Sequence, residues 1–388
     1  MRAVGYFAPG PIAAPDSLRD IELPRPSATG HDLLVEVRAV SVNPVDYKVR
    51  ASAPVPGGAA KVIGWDAAGI VVEAGPQATL FKVGDEVFYA GSIARPGTNA
   101  QFHLVDERIV GHKPRSVGFA QAAALPLTTI TAWEALFDRI DIRRPVPGAA
   151  PAMLIIGGAG GVGSIAIQLA RALTDLTVVA TASRPETMAW VKELGAHHII
   201  DHRKPIAPEV AALRIGPPGF VFSITHTADH LKDIAELIAP QGRLALINNE
   251  PLELASFMRK SVSIHWESMF TRSLMETADM AEQHALLDQV AALVDAGKIR
   301  TTITENFGTI NAANLKRVHA FLETGKSARQ GRARRVLGSL WESQACGGGA
   351  KAPRPSRAKT SRSAPGLSAT ESRSRASYAS SFRSNSSW

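Results

Sequence analysis

Apolar residues in the first 125 positions come in short alternating runs, broken by glycine, proline and acidic residues. Arg2–Tyr6 alternates like an edge strand, Leu33–Val40 and Gly69–Gly75 read as longer strands, and the Gly84-Asp85 turn precedes another run through Val87-Phe88. A period of two marks strands with one buried face. Many short strands with glycine and proline turns predict a small barrel. The pattern changes after Gln121–Pro126. Leu127–Ile140 carries helical spacing. Beyond it, short apolar runs at 152–156, 176–181, 198–201, 220–223 and 242–247 alternate with helical stretches such as 164–173 and 186–194. Alternating strands and helices predict a parallel sheet covered on both faces. The expected class is therefore α/β, with a β-barrel domain beside a doubly wound Rossmann sheet. No repeat of solenoid period is present.

Composition changes one part of this picture. The 388 residues carry 43 Lys+Arg and 35 Asp+Glu, a formal charge of +8. Residues 326–388 hold 13 of those bases and 2 of those acids, leaving 30 bases and 33 acids in residues 1–325. The body is mildly acidic and the high isoelectric point belongs to the tail. Basicity is therefore no argument for a nucleic-acid-binding fold. The tail is rich in Ser, Arg, Ala, Gly and Pro, a composition expected to stay disordered. One cysteine, Cys346, excludes an internal disulfide and any multi-cysteine metal site. No apolar run is long enough to span a membrane, and Met1–Tyr6 lacks the design of a signal peptide. A cytoplasmic address fits these features.

Gly158-Ala159-Gly160-Gly161-Val162-Gly163 contains G-x-G-x-x-G between an apolar strand and a helix. In that context the motif reads as a dinucleotide-binding turn. Gly158 is expected to make the turn, Gly160 to admit a pyrophosphate, and Gly163 to let helix and strand pack closely. Gly161 and Val162 open the helix, whose N-terminal N–H groups and dipole favour an anion. The second strand ends in Ala182-Ser183-Arg184. An acid there would bind ribose hydroxyls. Ser183 and Arg184 instead supply a hydroxyl and a guanidinium suited to a 2′-phosphate, so NADPH is the expected cofactor.

The glycine turn followed by Gln168-Leu169-Ala170 resembles the medium-chain dehydrogenase/reductase family. Asn43-Pro44-Val45-Asp46-Tyr47 resembles the N-P-x-D segment of its quinone oxidoreductase branch. Lys61–Gly69, Val83–Val87 and Gln121–Ala132 are similar to the family's barrel and domain-junction segments, and Ser263–Arg272 resembles bacterial zinc-type alcohol dehydrogenase-like proteins. The likeness covers about residues 1–325. It implies a GroES-like catalytic domain over 1–125, completed by about 266–325, and a Rossmann domain over 126–265. Zinc-dependent relatives carry a cysteine near Asn43–Asp46 and a histidine-glutamate pair where Gly64-Trp65-Asp66 stands. Neither is present, so no metal site is expected. His197-His198, near Asp201 and His202, matches the family's strand pattern better than a ligand cluster.

The resemblance implies hydride transfer from NADPH to an activated acceptor, a quinone or an α,β-unsaturated carbonyl, without a Lewis acid. It places Asn43, Asp46 and Tyr47 in the interdomain cleft. Asn43 would donate to the acceptor oxygen, Tyr47 would donate a hydrogen bond or proton, and Asp46 would orient its neighbours. Thr128 and Thr131 would contact the nicotinamide amide, with Ile247, Asn248 and Phe270 as cofactor wall. A homodimer is the family expectation, with no specific nucleic acid and no membrane as partner. Competing readings are a zinc-type alcohol or aldehyde dehydrogenase and a nucleotide-binding protein of low turnover. A third, nucleic-acid binding by the tail, would vanish on truncation at Gly325 and fall steeply with salt.

Relatives end in a strand of the type Gly-Lys-x-Val-Leu after the last helix. Codons exist that encode Arg329–Leu337 in one frame and Gly-Lys-Val-Val-Leu-Glu-Gly-Phe in another. A frameshift near residues 326–329 would explain the basic tail, and would replace the last strand and expose a sheet edge. Sequencing the gene tests this: a second open frame completing the strand is expected, and an error-free single frame through codon 388 would refute it.

Overall fold

The structure is a computed structural model and describes residues 1–324 and 334–338. The first half is strand-rich, as its alternation predicts. A three-stranded sheet, ordered β2-β1-β4, is built from β1 (Arg2–Tyr6), β2 (Arg19–Glu22) and β4 (Lys61–Val62). The main barrel sheet draws on β3 (Asp32–Ser41), β5 (Asp66–Ala74), β6 (Glu86–Ala90), β7 (Phe102–Asp106) and β8 (Val110–His112). Helix α1 (Pro44–Ser52) follows β3 directly, with proline in its first turn, where the missing N–H costs nothing. Val4, Tyr6, Val35, Val37, Trp65, Val71 and Tyr89 fill the barrel core.

Two helices, α2 (Phe119–Ala123) and α3 (Pro126–Trp133), lead into the second half. The sequence predicts one helix from 127 to 140. Here α3 ends at Trp133 and a wider π-helical turn runs over Glu134–Arg139. Single π turns of this kind tend to occur at functional sites.

The parallel sheet contains β9 (Ala150–Ile156), β10 (Thr177–Thr181), β11 (His198–Ile200), β12 (Pro218–Ser223), β13 (Arg243–Leu246) and β14 (Ser263–Trp266), ordered β11-β10-β9-β12-β13-β14. Helices α4 (Gly161–Leu173), α5 (Pro185–Glu193), α6 (Ile206–Ala212) and α7 (Thr227–Leu237) connect its strands. This is the Rossmann arrangement, whose strand order reverses beside β9 and opens a crevice at the carboxyl ends. After β14 the chain returns through α8 (Thr271–Met275) and α9 (Glu282–Asp295). It then adds β15 (Ile303–Thr309), α10 (Ala312–Glu323) and β16 (Arg334–Gly338) to the barrel.

β16 corrects an expectation. Its five residues lie in the stretch read as disordered, yet they pair parallel with β15 and antiparallel with β3. The slot between those strands is satisfied by backbone N–H and C=O groups, which any residue but proline supplies. Composition therefore hid the strand, and the edge expected to be exposed is covered. The rest of 326–388, Cys346 included, lies outside the described residues.

The glycine turn follows the predicted plan with one shift. The left-handed residue is Gly157, at φ +89°, whereas Gly158 lies close against β10: a Cβ there would come within 2.9 Å of the Ala180 Cβ. The tight turn thus belongs to Gly157. A Cβ on Gly163 would lie 2.3 Å from the Gly157 carbonyl oxygen, so helix and turn meet backbone to backbone. On Gly160 it would meet only that oxygen, at 3.4 Å. Gly163→Ala is expected to cost about 1–3 kcal/mol of stability through overpacking. Gly160→Ala should cost less while still hindering a bound pyrophosphate. Thermal melts with and without NADPH check both; an unchanged melt for Gly163→Ala would contradict the close packing.

Candidate active site

The candidate site lies where the two hydrophobic cores adjoin. Val45 and Phe270 are half-buried and pack against both hydrophobic cores. Asn43 precedes α1 and is 3% exposed. Its backbone N–H donates to the Asp46 carboxylate in the first turn of the helix. Its side-chain amide donates to Asp66 Oδ2 at 2.8 Å, and the Leu127 N–H donates to Asp66 Oδ1 at 2.7 Å. Asp46 and Asp66 are fully buried. A buried carboxylate of this kind needs hydrogen-bond donors, and the N-terminus of α3 supplies one together with its dipole. The structure thus brings Asn43 and Asp46 together. It adds Asp66, which sequence reasoning noticed only as a substitute for a metal ligand.

Tyr47 stands one residue further along α1 and is half-buried. Burial, and then the Glu323 carboxylate at the end of α10, raise its hydroxyl above the ordinary tyrosine range. It therefore holds its proton at neutral pH. Thr128 and Thr131 are buried on α3, and their hydroxyls donate to the Leu125 and Leu127 carbonyls at 3.2 and 2.7 Å. Each donor is used within the helix, so toward a ligand each oxygen acts as an acceptor.

On the Rossmann side, Gly158, Gly160, Gly161, Val162 and Gly163 surround the start of α4. The first N–H groups of a helix have no partner within it. The Thr181 hydroxyl accepts from the Gly157 N–H at 3.0 Å and fixes the turn to the end of β10. Ser183 and Arg184 follow that end and are half-buried. Ile247 and Asn248 follow β13. Asn248 accepts from Thr227, donates to Glu250, and its carbonyl accepts from the Trp266 indole. Phe270 meets Trp65 edge to face, with centroids 5.9 Å apart.

A buried charge network behind Phe270 escaped sequence reasoning, because its members are scattered from residue 134 to 283. Arg272 donates to Glu134 at 2.8 Å, Asp138 at 3.0 Å and Asp279 at 2.9 Å. Arg139 donates to Glu267 at 2.9 Å. Gln283 donates to Glu134 and to the Met269 carbonyl, at 2.9 and 2.7 Å, and so holds the backbone beside Phe270. Glu134 Oε2 and Glu267 Oε1 are buried with no hydrogen-bond partner of their own. Burial, and then the neighbouring Glu134 carboxylate, push Glu267 up to about 9. Glu267 accordingly carries a proton at neutral pH, which can lie between the two carboxyl groups.

The histidines divide by environment. His103 is buried between Tyr89 and the Pro96 carbonyl, and burial first lowers it to about 4. His197 accepts from the Val178 N–H at 2.9 Å and so serves the sheet.

Comparison with known proteins agrees with this architecture. Residues 29–133 match the alcohol dehydrogenase GroES-like domain family, and residues 161–289 match the zinc-binding dehydrogenase family. A zinc-type alcohol dehydrogenase-like protein of Staphylococcus aureus is 37% identical over 326 residues, 83% of this chain and 96% of that protein. A chloroplast envelope quinone oxidoreductase homolog of Arabidopsis thaliana is 29% identical over 309 residues, 78% of this chain and 90% of its own. A crystal structure of a proposed zinc-dependent alcohol dehydrogenase from Rhizobium etli CFN 42 is 63% identical, with a TM-score of 0.85, covering 88% of this chain and 98% of that one. The chain belongs to the medium-chain dehydrogenase/reductase superfamily, as its family matches and its 37% identity to a zinc-type alcohol dehydrogenase-like protein show. It is an oxidoreductase by family, with a fold that binds pyridine nucleotides.

The zinc in those family names does not fit the residues present. A catalytic zinc needs three thiolate, imidazole or carboxylate ligands around an open position. Asn43–Asp46 and Gly64-Trp65-Asp66 stand where zinc-dependent relatives carry a cysteine and a histidine-glutamate pair; here the Asn43 amide is bonded to Asp66, and Asp66 to the Leu127 N–H of α3. Among the described residues no group of three histidines, cysteines or acids is placed to hold a metal ion.

The network predicts a pH dependence of stability. Glu267 titrates near 9 when folded and at about 4.3 as a free side chain. Its contribution is therefore complete below about pH 4 and is lost as pH rises toward 9. Glu267→Gln keeps a neutral donor at that position, so the variant's melting temperature should fall less than the wild type's between pH 5 and 9. Parallel curves would show that Glu267 is ionised in the folded protein.

Proposed function

We propose that the protein is a zinc-independent reductase that delivers hydride from NADPH to a quinone or an α,β-unsaturated carbonyl. The carrying observation is the cleft chemistry: an amide–carboxylate pair, Asn43 and Asp66, is bonded together in the segments where metal-dependent relatives carry their ligands. Such a site cannot polarise a simple alcohol strongly, and it suits an acceptor whose incoming charge already delocalises onto an oxygen.

NADPH when bound supplies the hydride, and the chain supplies position and protons. The start of α4 would hold the pyrophosphate and Gly160 would let it approach. Ser183 and Arg184 would engage a 2′-phosphate, Arg184 through charge-assisted hydrogen bonds. Thr128 and Thr131 would accept from the carboxamide. Ile247, Asn248 and Phe270 would form the wall, with Trp65 behind Phe270 keeping water from the transfer path. Asp46 fixes Asn43, and Asn43 would face the acceptor oxygen. Tyr47 keeps its proton at neutral pH and would deliver it to the reduced acceptor. To this reading we add, as the family expectation, a cytoplasmic homodimer paired through the Rossmann sheet edge.

NADPH and NADH oxidation with 1,4-benzoquinone, 9,10-phenanthrenequinone and simple enones, with and without a chelator, tests this. NADPH-preferring, chelator-insensitive turnover is expected. Tight NADPH binding without turnover would instead mark a nucleotide-binding protein, and chelator-sensitive alcohol oxidation would overturn the zinc-free site.

A further inference from the structure

Helix α1 opens on Asn43, Asp46 and Tyr47 and carries a buried cation, Arg50, in its last turn. Arg50 is 1% exposed. A guanidinium removed from water needs bonded partners. Its Nη1 donates to the Gly10 carbonyl, and its Nη2 donates to the carboxylate of Glu323, the last residue of α10. Among the described residues Glu323 is the acid paired with this charge. The ion pair therefore fastens the helix that bears the candidate proton donor to a helix distant in sequence. The proposed chemistry leaves both of its members unused.

Tyr47 and Arg50 are three positions apart and share one face of α1. Helix α10 packs against α1. The Glu323 carboxylate bonds Arg50 and also acts on Tyr47, adding to the effect of burial in raising its hydroxyl. The other titratable groups around this junction are engaged or neutral. On α10, His319 precedes Glu323 by one helical turn and is fully buried; burial, and then the Arg50 charge, lower it to about 3, so it stays neutral. On β1, the Tyr6 hydroxyl donates to the Val49 and Ala53 carbonyls at 3.2 and 3.0 Å, and burial pushes it up to about 12. On α1 itself, Asp46 accepts from the Asn43 N–H and Lys48 is exposed. Glu323 is thus the charge from a neighbouring element that bears on Tyr47.

We propose that Glu323, anchored by Arg50, is a positioning residue for Tyr47 and holds its hydroxyl toward the acceptor as a proton donor. This rests on the function proposed above, in which hydride leaves NADPH for the acceptor and Tyr47 protonates the reduced acceptor oxygen. The phenolate left behind regains its proton from water. Without the Glu323 charge, α1 loses its tie to α10, and a phenolate at Tyr47 no longer faces a neighbouring anion. The donor is then less well placed, and it gives up its proton to solvent at a lower pH.

The test compares the full chain with Glu323→Gln and Glu323→Asp. Tyrosinate absorbance is read after rapid pH jumps, before unfolding, and Tyr47→Phe in each background isolates the Tyr47 signal from the other tyrosines. Its midpoint should move to lower pH in Glu323→Gln and stay near the wild type in Glu323→Asp, which keeps the charge. With NADPH and 9,10-phenanthrenequinone, kcat of Glu323→Gln near neutral pH should fall about tenfold through misplacement of the donor, with KM for NADPH unchanged and the alkaline limb of the kcat profile shifted to lower pH. Glu323→Asp should recover part of kcat. A Glu323→Gln variant with a lower melting temperature but an unmoved Tyr47 midpoint, or with unchanged kcat, overturns the proposal. A wild type that turns over no quinone or enone, yet whose Tyr47 midpoint still falls in Glu323→Gln, would uphold the Glu323–Tyr47 link and overturn the reductase reading beneath it.

Discussion

The buried Asp66 carboxylate is the constraint on which the cleft depends. It sits at the start of β5, accepts from the Asn43 side chain at the start of α1, and accepts from the Leu127 N–H at the start of α3. Three elements, β5, α1 and α3, thus converge on one charge. A carboxylate without those donors would be expensive to bury, so the donors are held as firmly as the acid. The helix dipole of α3 adds to the same attraction. The outcome is a junction of β5, α1 and α3 set by hydrogen-bond geometry rather than by apolar packing alone.

The second buried network plays the matching part behind Phe270. Arg272 gathers Glu134, Asp138 and Asp279, while Gln283 holds the Met269 carbonyl. The π-helical turn brings Glu134 into this cluster. A wider turn is a less favourable backbone, and it persists where its side chains are secured from outside. Phe270 then meets the buried Trp65 edge to face, the one held by charge and the other by the barrel core.

These two networks explain how a chain of a zinc-associated family can build an ordered cleft from other donors. In the segments where zinc-dependent relatives carry their ligands, an amide and a carboxylate bond each other. The organising role is taken over by hydrogen bonds from the protein itself, and the crevice at the carboxyl ends of the sheet is left to the nucleotide.

The sequence by itself determined the periodic elements. Alternation with a period of two marked the barrel strands, and alternating strands and helices marked the parallel sheet. The spaced glycines located the nucleotide turn, because steric exclusion acts over a few neighbouring residues and leaves a local trace. Asn43 and Asp46 were singled out by the resemblance of their segment to a family motif, and the fold made that segment the start of α1. Tertiary structure alone decided which distant groups meet: Asp66 with Leu127, and Glu134 with Glu267 and Arg272. It also decided that Arg334–Gly338 completes the barrel sheet, since backbone pairing depends on a vacant slot between β3 and β15 and leaves little mark on composition. Burial and long-range pairing set charge states such as those of Glu267 and Tyr47, and neither can be counted along the chain.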